Sequence, residues 1–181
     1  MNIIVEGVDG SGKSSLISNL EKLTGRKVIK GSSFEISVGG ADAMFEQSKQ
    51  ILLENENIII DRFFYSNIVY GKIYGYPTMT KEQYAELNNL VSERAVVYEL
   101  VADTDTIIKR INKRGDNMID TSDIEKIQKA YVEMWKECEP RNLIVIETDN
   151  DDLLNIESEI YQTIIAHDKE MSHIAEEFSQ E

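Results

Sequence analysis

The sequence predicts a doubly wound α/β domain on a mostly parallel five-stranded sheet. Three observations predict it. Short β-branched runs alternate with segments of helical period along the whole chain. The first run passes straight into a glycine-rich turn and then a helix, and the run Ile58-Ile-Ile is apolar without alternation, as in a strand buried on both faces.

The first strand holds Ile3, Ile4 and Val5 and ends at Gly7. Gly7 to Ser14 fits G-x-x-x-x-G-K-S, a phosphate-binding loop. Gly7, Gly10 and Gly12 permit positive φ and close approach of backbone to an anion. The helix opening at Lys13 turns its free N–H groups and positive dipole end inward. Gly7, Asp9, Gly10, Ser11, Gly12, Lys13, Ser14 and Ser15 are therefore the candidate nucleotide-binding residues, with Lys13 reaching the terminal phosphates and Ser14 the Mg²⁺.

The first helix runs from Lys13 to Leu23, with Leu16, Ile17, Leu20 and Leu23 in phase, and Thr24-Gly25 closes it. Lys27 to Lys30 is a second strand. Gly31 to Gly40 has turn residues at both ends and no period, so it is a loop at the cleft; its Phe34 either lies against a planar base or anchors the loop. Ala41 to Leu53 is a helix, broken by Glu54-Asn-Glu-Asn57. The third strand then delivers Asp61 and Arg62 to its carboxyl end, where ligands bind in open α/β sheets.

Phe63 to Tyr76 is crowded with aromatics, most of them expected in the core; Tyr70 either joins them or faces the cleft. A helix follows over Lys81 to Arg94, then a strand over Ala95 to Val101. Asp103-Thr-Asp-Thr caps a helix running to about Lys113. Arg110 and Arg114 lie one turn apart on it, either complementing its dipole or awaiting phosphate. Residues 114–122 form a polar candidate lid. A helix from Asp123 to Glu137, a strand from Leu143 to Glu147, a helix from Leu153 to about Ala166 and an acidic tail over 168–181 complete a single domain spanning 1–181.

The 181 residues carry a net charge of −14, which argues against nucleic acid or an anionic membrane as partner, since both are bound through Lys and Arg. An anionic small substrate needs a local cation cluster instead. The one cysteine, Cys138, excludes an internal disulfide and fits a reducing, cytoplasmic setting. Cys138, His167 and His173 are too scattered for a metal cluster. No apolar run approaches the roughly 20 residues of a membrane span, and Ile3 to Val5 is too short for a signal peptide.

Ile3-Ile-Val-Glu6-Gly7-Val-Asp9-Gly10-Ser11-Gly12-Lys13-Ser14-Ser15 resembles the opening of the thymidylate kinases, E-G-x-D-G-x-G-K-[ST]-[ST] after a hydrophobic strand. Asp61-Arg62-Phe63-Phe64-Tyr65-Ser66-Asn67-Ile68-Val69-Tyr70 is similar to their D-R-[YFH]-x-x-S-x-x-A-[YF] segment, and Leu100 to Asp103 with Ile107 to Gly115 resembles, more loosely, their strand, helix and arginine-bearing lid. The resemblance implies a P-loop nucleoside monophosphate kinase fold. It implies transfer of the ATP γ-phosphate, with Mg²⁺, to a deoxynucleoside monophosphate, dTMP or a related pyrimidine nucleotide, in a homodimer.

The same resemblance assigns roles. Lys13, Arg110 and Arg114 neutralise the transferred group, Arg62 holds the acceptor phosphate, and Asp9 sits near its sugar and phosphate. Ser66, Asn67 and Tyr70 surround the base, and Asp61 orders the metal's waters. No general base is needed for an anionic acceptor. The family's R-E-P-G-G-T stretch is replaced by Gly31 to Gly40, the arginine of the next helix has no counterpart in Ala41 to Gln50, and Gly71 stands where Gln is usual. These departures fall on the acceptor side. They leave open another pyrimidine or a modified deoxynucleotide as acceptor; the competing readings are a deoxynucleoside kinase, for which Glu35 is the nearest base, a kinase or ATPase acting on bases in DNA, and a nucleotide-binding module without catalysis.

Overall fold

A computed structural model describes residues 1–32, 39–115, 120–149, 158–167 and 169. Strands β1 (Asn2–Gly7), β2 (Val28–Lys30), β3 (Ile59–Asp61), β4 (Ala95–Val101) and β5 (Leu143–Glu147) form one sheet in the order β2-β3-β1-β4-β5. Every pairing in it is parallel. The helices are α1 (Lys13–Thr24), α2 (Ala41–Glu54), α3 (Phe64–Tyr74), α4 (Lys81–Arg94), α5 (Thr104–Arg114) and α6 (Ile124–Cys138), and residues 158–167 are also helical.

The side-chain period of two along β1 divides the core. Ile3 and Val5 face one way, into a cluster with Leu16, Ile17 and Leu20 of α1 and with Ile160 and Ile164. Ile4 faces the other, into the larger cluster that includes Met44, Phe64, Val91, Ile107 and Tyr131. Both faces are thus covered, as a parallel sheet requires. Because the chain leaves β1 first toward β2 and β3 and later crosses to β4, the carboxyl end of β1 is a topological switch point. The phosphate-loop sequence lies there.

Most expected elements stand within a residue or two of their positions. Gly25 ends α1 in the left-handed region at φ 68°, its N–H bonded to the Glu21 carbonyl. Three features depart. The aromatic stretch after Arg62 is a helix, α3; seven aromatic and aliphatic residues among its eleven leave no polar face for a period to show. Asp103 precedes α5 without a side-chain cap bond; its N–H instead donates to the Asp149 carboxylate at 2.9 Å. The helix expected from Asp123 begins with a 3₁₀ turn, Thr121–Asp123. The start of the final helix, at Leu153, and most of the acidic tail lie outside the described residues. Among the described residues no helix is long and apolar enough to cross a membrane.

Candidate active site

The loop between β1 and α1 takes positive φ at Gly7, Gly10 and Gly12 (130°, 84° and 100°). Gly7 is required twice over: a Cβ there would also stand 2.3 Å from the Leu100 carbonyl oxygen of β4. Among the described residues, the N–H groups of Asp9, Gly10, Gly12, Lys13 and Ser14 donate to no backbone group. They form a concave set of free donors at a helix N-terminus, the arrangement that fits a phosphate. The Lys13 ammonium is folded back into this loop, donating to the Gly7 and Val8 carbonyls at 2.9 and 2.8 Å. Burial, and then the charge of Arg62, pull its pKa down to about 7.

Beside the loop stands a buried polar cluster. Arg62 leaves β3 in the left-handed region at φ 57°, uncommon for a side chain of this size. One terminal nitrogen donates to Asp9 at 2.7 Å; the other donates to the Gly7 carbonyl at 3.0 Å, Ser66 Oγ at 3.2 Å and the Tyr131 hydroxyl at 3.3 Å. The guanidinium lies over the Tyr70 ring, 5.4 Å from its centroid. Tyr70 donates its hydroxyl to the second Asp9 oxygen at 2.9 Å, so Tyr70 belongs to the cleft. Burial pushes the Asp9 carboxyl up, but Arg62, Lys13 and the two hydrogen bonds outweigh it and hold the group below the usual carboxylate range.

Glu6, quoted in the opening motif without a role, organises this cluster from below. Its carboxylate is fully buried and accepts from Phe63 N at 2.7 Å, Ser66 N at 3.3 Å, Ser66 Oγ at 2.6 Å and the Tyr131 hydroxyl at 3.1 Å. It thereby gives the Phe63 N–H its partner and adds a second acceptor for the Ser66 N–H, already bonded to the Phe63 carbonyl, at the start of α3, for which Phe63 offers no side-chain cap. Burial raises its pKa, and the charge of Arg62 and hydrogen bonds from Ser66, the Phe63 N–H and Tyr131 work against that rise. The period of β1 places Glu6 on the same face as Ile4, toward the larger cluster. Tyr131 gave no comparable signal, because a tyrosine on the apolar face of α6 reads as core.

The other expected residues divide. Ser66 is buried and committed to Glu6. Asn67, also buried, accepts from Ser32 Oγ and donates to Met44 Sδ at 3.0 Å. Arg110 reaches the loop, donating to the Thr148 hydroxyl at 3.1 Å and, more distantly, to the Gly10 carbonyl at 3.5 Å. Buried Thr148, another residue missed in the sequence, fixes that corner by donating to the Ser11 carbonyl at 3.0 Å. Arg114 is exposed at the end of α5, so the two arginines expected to act together are separated. Phe34 and Glu35 lie outside the described residues, as do 116–119 of the candidate lid.

Ser14 and Ser15 are exposed at the mouth of the loop, and half-buried Asp61 lies at the end of β3, close enough to influence the Lys13 ammonium. A hydroxyl and one carboxylate suit Mg²⁺, which commonly takes one or two protein oxygens and completes its shell with water and phosphate. Among the described residues no group of three or more His, Cys, Asp or Glu could hold an ion unaided.

Comparison with known proteins agrees with this geometry. The SPbeta prophage-derived uncharacterized protein YorR of Bacillus subtilis is 39% identical over 133 residues, 73% of this chain and 80% of YorR. The crystal structure of YorR in complex with phosphorylated GDP superposes with a TM-score of 0.78 at 33% identity, covering 96% of this chain and 98% of that one. A probable thymidylate kinase of Methanocaldococcus jannaschii is 26% identical over 96% of this chain and 98% of its own. Deoxyadenosine kinase of M. mycoides with bound dCTP shares the fold at a TM-score of 0.56, with 21% identity over 92% of this chain and 100% of that one. The family profile described as deoxynucleoside kinase matches residues 29–173. Distant thymidylate kinases are therefore relatives, and the chain itself belongs to the deoxynucleoside kinase family of P-loop kinases.

Proposed function

We propose that the protein transfers the γ-phosphate of ATP, with Mg²⁺, to the phosphate of a deoxynucleoside monophosphate, dTMP or a related nucleotide. The observation that carries this reading is the state of Asp9. Arg62 and Tyr70 occupy its two oxygens at 2.7 and 2.9 Å, and the group is held ionised. So committed, Asp9 is a poor base for a neutral hydroxyl, and a nucleoside acceptor would have to rely on Glu35, which lies outside the described residues, whereas a phosphate acceptor arrives already anionic and needs no base.

The remaining roles follow from the chemistry. The free loop N–H groups and Lys13 hold the ATP phosphates, Ser14 and Asp61 would hold Mg²⁺, and Arg62 lines up the acceptor phosphate. Mg²⁺ would supply charge neutralisation on the phosphate oxygens. Arg110 adds positive charge at the loop. Such positioned charge is what a loose phosphoryl transition state demands.

A second reading, a deoxynucleoside as acceptor, is favoured by one observation: Asp9 already matches the charge of Arg62, leaving that guanidinium less free for a second anion. The test is coupled ADP release with Mg-ATP against deoxynucleoside monophosphates and free deoxynucleosides. Guanine nucleotides belong in the panel because the YorR structure holds phosphorylated GDP. Turnover with a monophosphate, and none with its nucleoside, is expected. Faster turnover of a nucleoside would replace the first reading with the second.

A further inference from the structure

We infer that Tyr131 is a positioning residue for the acceptor site: its hydroxyl ties the Arg62 guanidinium to the buried Glu6 carboxylate and so fixes the arginine that meets the acceptor. The inference rests on the reading of Arg62 proposed above.

Tyr131 comes from α6, far in sequence from both partners, and nothing in the phosphate-loop motif refers to it. Its hydroxyl has one proton, which it gives to Glu6 at 3.1 Å, while its oxygen accepts from Arg62 at 3.3 Å and lies 2.9 Å from Ser66 Oγ. The Gly7 carbonyl, 3.4 Å away, competes for the same proton. One hydroxyl therefore touches the start of the phosphate loop, the buried acid and the guanidinium.

Arg62 needs such a tether. Its backbone is in the left-handed region, and its partner Asp9 is 40% exposed, so solvent screens that ion pair. The inner contacts, to Gly7, Ser66 and Tyr131, come from buried groups and set the direction in which the guanidinium points. Losing the hydroxyl would free one of these and leave Glu6 a donor short, while the phenyl ring kept the packing of α6 against the sheet.

The test is Tyr131→Phe, with Tyr98→Phe as control. Tyr98 is a buried tyrosine in the cluster on the opposite face of the sheet. The expected result is a rise of about tenfold in the KM for the nucleotide acceptor, with kcat and the KM for ATP within about twofold, and no such split for Tyr98→Phe. A second readout needs no substrate. The nitrogen-15 NMR signals of the Arg62 guanidinium, assigned by their loss in Arg62→Lys, should be sharp in the unsubstituted protein and broadened or shifted in Tyr131→Phe.

An unchanged acceptor KM with unchanged guanidinium signals would overturn the inference. So would equal rises in both KM values accompanied by a lower Tm, which would mark Tyr131 as structural only. If the unsubstituted protein turned over no monophosphate, the proposed acceptor would fall, and the guanidinium signals would still decide whether Tyr131 holds Arg62.

Discussion

Arg62→Ala tests the organisation of the site most directly. The substitution removes donors to Asp9 at 2.7 Å, the Gly7 carbonyl at 3.0 Å, Ser66 at 3.2 Å and Tyr131 at 3.3 Å. Asp9 is 40% exposed, so solvent screens its pairing and about 1 kcal/mol is a fair share for that contact. Leaving the fully buried Glu6 carboxylate without the nearby guanidinium costs more, about 2 kcal/mol. The expected loss is about 3 kcal/mol, or roughly 6–12 °C in Tm for a chain of this length.

Kinetically, Arg62→Ala should raise the acceptor KM about a hundredfold and leave the KM for ATP within about threefold, measured by coupled ADP release. Arg62→Lys should fall between, because an ammonium cannot reproduce the fork of four contacts. Arg62→Gly should be more stable than Arg62→Ala by about 1 kcal/mol, since glycine relieves the left-handed backbone. Equal loss of ATP and acceptor binding would refute the assignment of Arg62 to the acceptor side. Wild-type stability in Arg62→Ala would refute its part in the buried cluster.

Lys13, whose pKa burial and Arg62 lower from 10.5 to about 7, links nucleotide binding to pH. Between about 7 and 10.5 the unfolded chain holds a proton on Lys13 that the folded chain lacks, so this group's contribution to stability grows as pH rises across that window. Phosphates favour the charged form. ATP affinity should therefore fall as pH rises above about 7, by up to about tenfold per unit. Calorimetry at pH 8 in buffers of different ionisation enthalpy should show uptake of close to one proton, and affinity constant from pH 6 to 9 would contradict this. Gly31→Ala should destabilise by about 2–4 kcal/mol in urea unfolding, because its Cβ would meet Ile60 Cγ2 at 2.4 Å and the Arg62 carbonyl oxygen at 2.5 Å; a loss under about 0.5 kcal/mol would show that the loop simply shifts.

The sequence by itself determined the alternation of strand and helix, the phosphate loop and the delivery of Asp61 and Arg62 to a strand end. These are local facts: β-branched runs, glycines where φ must be positive and helical periods report on neighbours a few residues away. The period fails where apolar residues occur all round a helix, and for that reason the residues of α3 show as aromatic chain rather than as a helix. The parallel order β2-β3-β1-β4-β5 was implied only as a class, because pairing partners are set by packing over the whole chain.

Tertiary structure alone decided which polar groups meet. Glu6, Arg62, Ser66 and Tyr131 lie on four different elements or junctions, and a buried carboxylate draws donors from wherever the fold brings them, whatever their separation in sequence. The same logic parts the two lid arginines. One helical turn on α5 is enough to put Arg110 against Thr148 and the phosphate loop and to leave Arg114 in solvent, a difference that depends on where α5 sits and that its residue types could not record.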